Sequence, residues 1–224
     1  MTLLQDNVRS PTSPTERNSK IFPVRKAARD ISPIFVERWS PRAFSGEAIP
    51  DEVLLTAVEA ARWAPSGFNL QPWRFIYSKN GSASWESFLD LLPDNNRVWA
   101  EKASALIVIA SKTRLLWDGE EIAATTHSFD AGAAWSNFAH QARLLGWHTH
   151  AMGGFDRDKA RISLNIADDL AVEVMVAIGR LGDRDSLPDK LQRREFPSGR
   201  LPLETFIIDG AFPASGAPEQ GQGI

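Results

Sequence analysis

Cysteine is missing from all 224 residues. A disulfide, a thiolate nucleophile, a zinc–thiolate centre and a cysteine-bound iron–sulfur cluster are thereby excluded for this chain. No G-x-S-x-G segment occurs, so the strained strand-to-helix turn that presents a hydrolase serine has no support. No apolar run reaches the roughly 18 residues that a membrane span needs. The first twenty residues are polar and lack the apolar stretch of a secretory leader, which makes the cytoplasm the expected location. Basic residues are not in excess: 25 Lys and Arg face 28 Asp and Glu, a net charge of −3. A nucleic acid or an anionic membrane surface would want a basic face, so neither is an expected partner. Gly179 and Gly182 follow an apolar run but do not make the G-x-G-x-x-G spacing of a dinucleotide fold. His148 and His150 alternate along a strand-like run with no acid at metal-ligand spacing, so no metal site is expected.

What remains is an ordinary globular composition, 43% hydrophobic and 24% charged, long enough for one domain with a real core. Residues 1–29 are poor in apolar side chains and contain Pro11, Pro14 and Pro23, which predicts a flexible arm. Residues 210–224, rich in Gly, Pro, Ala and Gln, predict a flexible tail, leaving 30–209 as the folded domain. Eight tryptophans against one tyrosine suit core packing, or aromatic walls around a planar ligand.

Helical and strand-like patterns alternate. Pro50-Asp51-Glu52 opens a helix over 50–63, with proline early and acids in its first turn. Residues 73–77 read as a strand, 82–91 as a helix stopped by Pro93, and 105–110 (A-L-I-V-I-A) as a central strand buried on both faces. Residues 128–145 predict a long helix, apolar on most sides, suited to a core or a subunit interface. A strand over 147–152, a polar helix over 156–164, a core strand over 172–178 and a short strand at 206–208 follow. Residues 111–125 have weak periodicity and read as an irregular insertion, a candidate lid. The class is α+β with a mixed sheet flanked by helices.

Two segments carry the chemistry. Arg38-Trp39-Ser40-Pro41-Arg42 sets two arginines four apart around a serine, a set of forked charged donors and a hydroxyl that suits a phosphate. Its bland alternative is a helix end with solvated charges. The segment 63–73, W-A-P-S-G-F-N-L-Q-P-W, crowds Pro65, Gly67 and Pro72 around Ser66, Asn69 and Gln71, more than a plain helix-to-strand connection needs. Turn chemistry alone also uses Ser, Asn and Gly.

Across 31–208 the chain resembles the nitroreductase-like FMN-dependent oxidoreductases. The likeness rests on R-W-S-P-R-A-F at Arg38, A-R-W-A-P-S-G-F-N-L-Q-P-W at Ala61 and N-N-R-V-W-A at Asn95. It continues with F-D-A-G-A-A at Phe129, L-G-W-H-T-H-A-M-G-G-F-D at Leu145 and G-R-L-P-L-E at Gly199. The resemblance implies a nitroreductase-like fold, an intertwined homodimer and FMN bound at its interface. It places Arg38, Trp39, Ser40 and Arg200 around the phosphate end and Arg42 at the flavin pyrimidine edge. It sets Pro65, Ser66, Gly67, Asn69 and Gln71 along the ring and ribityl chain, and Asn96 on the flavin of the partner subunit. Met152, Gly153 and Gly154 would bring a backbone amide to flavin N5. Relatives commonly carry a basic residue where Ser198 stands, which leaves one phosphate charge to Arg193 or Arg194, or missing. NAD(P)H would be a transient donor, and a nitroaromatic, a quinone or a similar small molecule the acceptor, in ping-pong turnover with no catalytic side-chain acid or base. Reduction of enals or halogenated substrates, or flavin sequestration without turnover, are the alternatives.

Overall fold

The computed structural model describes residues 25–212, so most of the expected N-terminal arm and all but the first residues of the expected tail lie outside the described part. It divides into two compact units. One is Ile31–Pro197; the other holds the described residues 25–30 and 198–212.

The larger unit begins with α1 (Pro33–Glu37) and α2 (Asp51–Arg62). Helix α2 has Asp51 and Glu52 in its first turn and Arg62 in its last, complementing the helix dipole at both ends. It buries Leu54, Ala57 and Ala61 on one stripe. Strand β1 (Trp73–Lys79) leads to α3 (Trp85–Leu89) and α4 (Asp94–Ala100). Helix α3 is shorter than its pattern because the hydroxyls of Ser78, Ser82 and Ser84 bond one another at its start, a local alternative to helical turns. Pro93 ends nothing; it precedes α4, where a missing N–H costs no bond.

Strand β2 (Ala105–Lys112) is followed by a hairpin, β3 (Arg114–Trp117) and β4 (Glu120–Ala123). This replaces the irregular insertion expected over 111–125. Asp118-Gly119, both at positive φ (49° and 85°), form the tight connection, a dipeptide signal that weak periodicity concealed. Then come α5 (His127–Leu144), β5 (His148–Met152), α6 (Arg157–Ser163), β6 (Leu170–Gly179) and the short α7 (Asp189–Gln192). In the smaller unit, the strand expected at 206–208 is absent, and a 3-10 turn over Leu203–Phe206 stands before it.

The main sheet has the order β1-β2-β6-β5. The α+β class is as expected. The pairings among the described residues are antiparallel throughout, so the parallel neighbour that a mixed sheet requires is not found among them. Side chains alternate across a strand, so β2 feeds two cores. Leu106 and Val108 pack with Trp85, Phe88 and Trp99 on the side of α3, α4 and α6. Ala105, Ile107 and Ile109 pack with Leu54, Ala57, Ala134 and Phe138 on the side of α2 and α5. Four of the eight tryptophans, Trp73, Trp85, Trp99 and Trp147, are buried in these cores.

Past β6 the chain presses against the residues before α2. Phe44 bridges to Leu181, and the Gly182 amide donates to Ala43 O at 2.8 Å. A Cβ at Gly182 would lie 2.5 Å from the backbone carbon of Phe44, and one at Gly179 would lie 2.6 Å from its ring. Glycine at these positions admits the close approach of Phe44, a packing role that involves no dinucleotide. Because backbone cannot swing aside as a side chain can, Gly182→Ala should destabilise the fold by about 1–3 kcal/mol. Urea unfolding should show a lower midpoint at unchanged slope; an unchanged midpoint would show that this approach is not tight in solution.

Candidate functional site

The arginine-rich segment folds over the outer edge of the sheet. Strand β5 has β6 on one side and no strand on the other among the described residues. The loop from Arg38 to Phe44 covers it. His150 Nδ1 lies 2.9 Å from Pro41 O, and since a carbonyl only accepts, that nitrogen carries the proton. The Trp39 ring meets His148 edge-on at 6.4 Å, and His150 lies 4.7 Å from the Trp99 ring. From the other side, Glu195 Oε1 accepts from the amides of Arg42 (2.7 Å) and Ala43 (2.8 Å). Glu195 is buried, its Oε2 has no partner, and burial pushes its pKa up against those two amides and the Arg42 charge. Sequence reasoning missed it, because a glutamate after two arginines looks like a solvated charge.

On the α5 side of this edge lies a cavity of about 240 Å³. Arg38 and Ser40 face it from the loop, Ala151 from β5, and Trp135, Ser136, Ala139 and His140 from α5. Arg38 Nη1 donates to Ser40 Oγ at 3.3 Å. A guanidinium, hydroxyls and an imidazole between two alanine walls and an indole suit an anion carried on an organic stem. Arg42 does not line the cavity. Its guanidinium is half-buried, and burial lowers its pKa, partly offset by Glu195 and reinforced by Arg194. Neither Arg193 nor Arg194 lines the cavity; His140 does. Arg200 is in the smaller unit, where its Nη1 donates to Gly199 O at 2.8 Å and to Ser198 Oγ at 3.3 Å.

Beyond β5, Gly153 is exposed with nothing within 4 Å of where a Cβ would stand, and Met152 is buried. Asn96 Nδ2 donates to Gly154 O at 2.9 Å. Asn96 therefore joins the Met152–Gly154 segment of its own chain.

Residues 65–71 do not join this group. The Gly67 amide donates to Asp130 Oδ2 at 3.2 Å, and Thr126 Oγ1 donates to the same oxygen at 3.0 Å. Asp130 and Ala139 are nine residues apart on α5, about 13–14 Å along the axis and two and a half turns, so they lie on opposite faces. Within one chain, the two motif segments look out on opposite sides of α5. The segment also shows local turn chemistry: Ser66 Oγ accepts from the Gln71 amide at 3.1 Å, and Gln71 Nε2 donates to Asn69 O at 2.8 Å. A Cβ at Gly67 would come 2.8 Å from Thr126 Oγ1, so packing as well as any ligand excludes a side chain there. Phe68, Asn69 and Gln71 all sit at positive φ (51°, 58° and 49°), each costing about 1 kcal/mol or more. Phe68 is 78% exposed and rests on Trp117 of the hairpin at 5.5 Å.

One cluster had no sequence signal. A bulge between β2 and β6 leaves Glu173 unpaired, turned to the start of α5. Its Oε1 accepts from Ser111 Oγ (2.5 Å) and Ser128 Oγ (2.8 Å), and Ser111 Oγ lies 2.7 Å from His127 Nδ1. An acid here complements the helix N-terminus. Arg157 ties this bulge to Gly153 by donating to the carbonyls of Gly153 and Glu173, both at 3.1 Å. Among the described residues there is no cluster able to hold a metal ion, and no helix long and apolar enough to cross a membrane.

A model of the nitroreductase family matches residues 35–97 and 86–180. A solved oxidoreductase containing FMN is 46% identical, with a TM-score of 0.82, over 85% of this chain and 97% of that one. The NADH dehydrogenase of Thermus thermophilus is 24% identical over 206 residues, 80% of this chain and 95% of its own length. A nitroreductase family protein from Streptococcus pneumoniae shares the fold at 20% identity, TM-score 0.63, over 79% of this chain and 98% of that one.

The two β5 histidines predict an acid response. Burial, helped by nearby arginines, lowers both pKa values to about 4. A depressed histidine stabilises the fold fully above the unfolded value near 6.5 and loses that contribution as pH falls toward 4. Between pH 6.5 and 5 the protein should lose about 1 kcal/mol per pH unit for each histidine. The His148→Asn/His150→Asn variant should lose that slope in urea unfolding; an equal slope would assign the response elsewhere.

Proposed function

This chain belongs to the nitroreductase family, and on that premise we propose that it is a homodimeric FMN-dependent oxidoreductase. It takes reducing equivalents from NAD(P)H and passes them to an electron-poor small molecule such as a nitroaromatic or a quinone. The observation that carries the reading is the anion-suited cavity built by Arg38 and Ser40 against Ala151, in a chain so similar to an oxidoreductase containing FMN.

When bound, FMN would supply the hydride chemistry between donor and acceptor, which no side chain of the site provides. The residues bind and orient. Arg38 and Ser40 hold the phosphate by charged and neutral hydrogen bonds. Arg42, its backbone clamped by Glu195, is assigned the pyrimidine edge, where a fixed cation favours the reduced cofactor. Gly153, with open space where a Cβ would stand, leaves its backbone accessible to a flat ring. Asn96 braces that segment through Gly154 O.

The opposite placement of residues 65–71 supports a site completed by a second copy. In a two-fold dimer each chain offers the 65–71 segment to its partner's cavity. Exposed Phe129 and Leu144 on α5 supply apolar surface for such an interface.

The function is tested by mixing the purified yellow protein with NADH and with NADPH in a stopped-flow instrument. Rapid loss of the visible flavin band with either donor, and its return on adding a quinone, is the expected result. Stable FMN with no bleaching by either donor would make this a flavin-holding protein instead. The shared site is tested by co-expressing Arg38→Glu and Ser66→Leu chains, each of which should fail to retain FMN alone. The mixed dimer should recover one FMN per two chains, because one of its two sites then draws only intact residues. No recovery would place both segments on one chain's site.

A further inference from the structure

The Arg38 cavity contains one group that the sequence did not suggest. His140 lines it from α5, across from Arg38 and Ser40. Its Nδ1 lies 2.7 Å from Ser136 O. A backbone carbonyl only accepts, so Nδ1 holds a proton in either charge state. The other ring nitrogen, Nε2, is then an acceptor in the neutral ring and a donor in the charged one. Phe35 of α1 meets the ring edge-on at 5.0 Å and fixes its plane.

We propose that His140 is a phosphate ligand of the FMN site, supplying through protonated Nε2 the cationic donor that Ser198 cannot. The proposal rests on the FMN reading above. It answers a deficit of charge: Arg193 and Arg194 do not line the cavity, and His140 does. Histidine is the side chain whose charge changes between about pH 5 and 8, and a neighbouring dianion favours its charged form. A protonated His140 thus adds a cationic donor to the one that Arg38 brings to the cavity.

The other charged and titratable groups at this end of the fold do not imitate the effect. Arg38 stays charged throughout. Glu37 of α1 and Arg143 of α5 hold each other at 3.1 Å. Burial holds His148 and His150 of β5 neutral down to about pH 4, and Arg180, next to His148, donates to Gly146 O at 3.0 Å. The phosphate does titrate, near pH 6, so affinities are compared between variants at the same pH.

The experiment uses the full-length apoprotein and measures dissociation constants for FMN and for riboflavin, which lacks the phosphate, from pH 5.5 to 8.5. His140→Asn keeps a donor for Ser136 O and removes the charge; His140→Gln serves the same comparison if the first variant does not fold by circular dichroism. At pH 6 the asparagine variant should bind FMN about tenfold more weakly than the parent, the size of one charge-assisted hydrogen bond. The ratio should approach one by pH 8.5, and riboflavin should show no ratio at any pH. His140→Lys should restore FMN affinity without that pH dependence. Equal FMN affinities of the parent and the asparagine variant across the range would overturn the proposal and leave the FMN reading standing. A ratio shared by riboflavin would also overturn it, by placing the effect at the ring. A parent that binds neither compound would remove the FMN reading, and this one with it.

Discussion

The cavity at the candidate site depends on how the Arg38–Phe44 loop is fastened beside β5, the outer strand of the sheet. An edge strand presents unpaired amides and carbonyls, and a folded protein must shield them. Here the Arg38–Phe44 loop lies beside β5, held by the His150 side chain, by Glu195 from the C-terminal side and by the Phe44–Leu181 bridge. Each fastening uses backbone atoms of the loop. Its side chains are left to point elsewhere, and Arg38 and Ser40 point at α5. The way the loop is fastened thus brings a guanidinium and a hydroxyl to one cavity.

The fastenings are not free of cost. Glu195 is a buried carboxylate with one oxygen unpartnered, and His148 and His150 are held neutral by burial. Such groups stabilise poorly and break badly, because removing one partner strands the other. What they give is position: a loop clamped at Arg42 and Ala43 keeps its arginines in one geometry. The 65–71 segment is built the other way. It is held by its own short hydrogen bonds, strained at three residues, and turns Phe68 outward. Strain of this kind persists where surrounding structure fixes it. Here the fixing contacts are the Gly67 amide on Asp130 and the packing of Gly67 on Thr126.

Much of the fold was legible as pattern. The unbroken apolar run of β2 announced burial on both faces, and the acids at the start of α2 announced its first turn. The misreadings have local causes. Serine hydroxyls shortened α3, proline began α4 where it was read as a stop, and an Asp-Gly turn hid in a weakly periodic stretch. At the site, Arg38 and Ser40 stood out because they lie two positions apart in the sequence, and the structure sets both on one cavity. His140 and Glu195 did not, because they meet the motif only across the sheet edge.

The sequence by itself determined the longer secondary elements, the family and the chemical character of the two motif segments, since these depend on side chains near one another along the chain. It could not say on which face of α5 each segment would lie. That depends on how a helix apolar on most sides is turned against the sheet, and its composition leaves that rotation open. Only the packing of Phe138 and Ala134 into the core sets it. Once set, it sends Asp130 toward Gly67 and turns Ala139, nine residues along the same helix and on its other side, toward the Arg38 cavity.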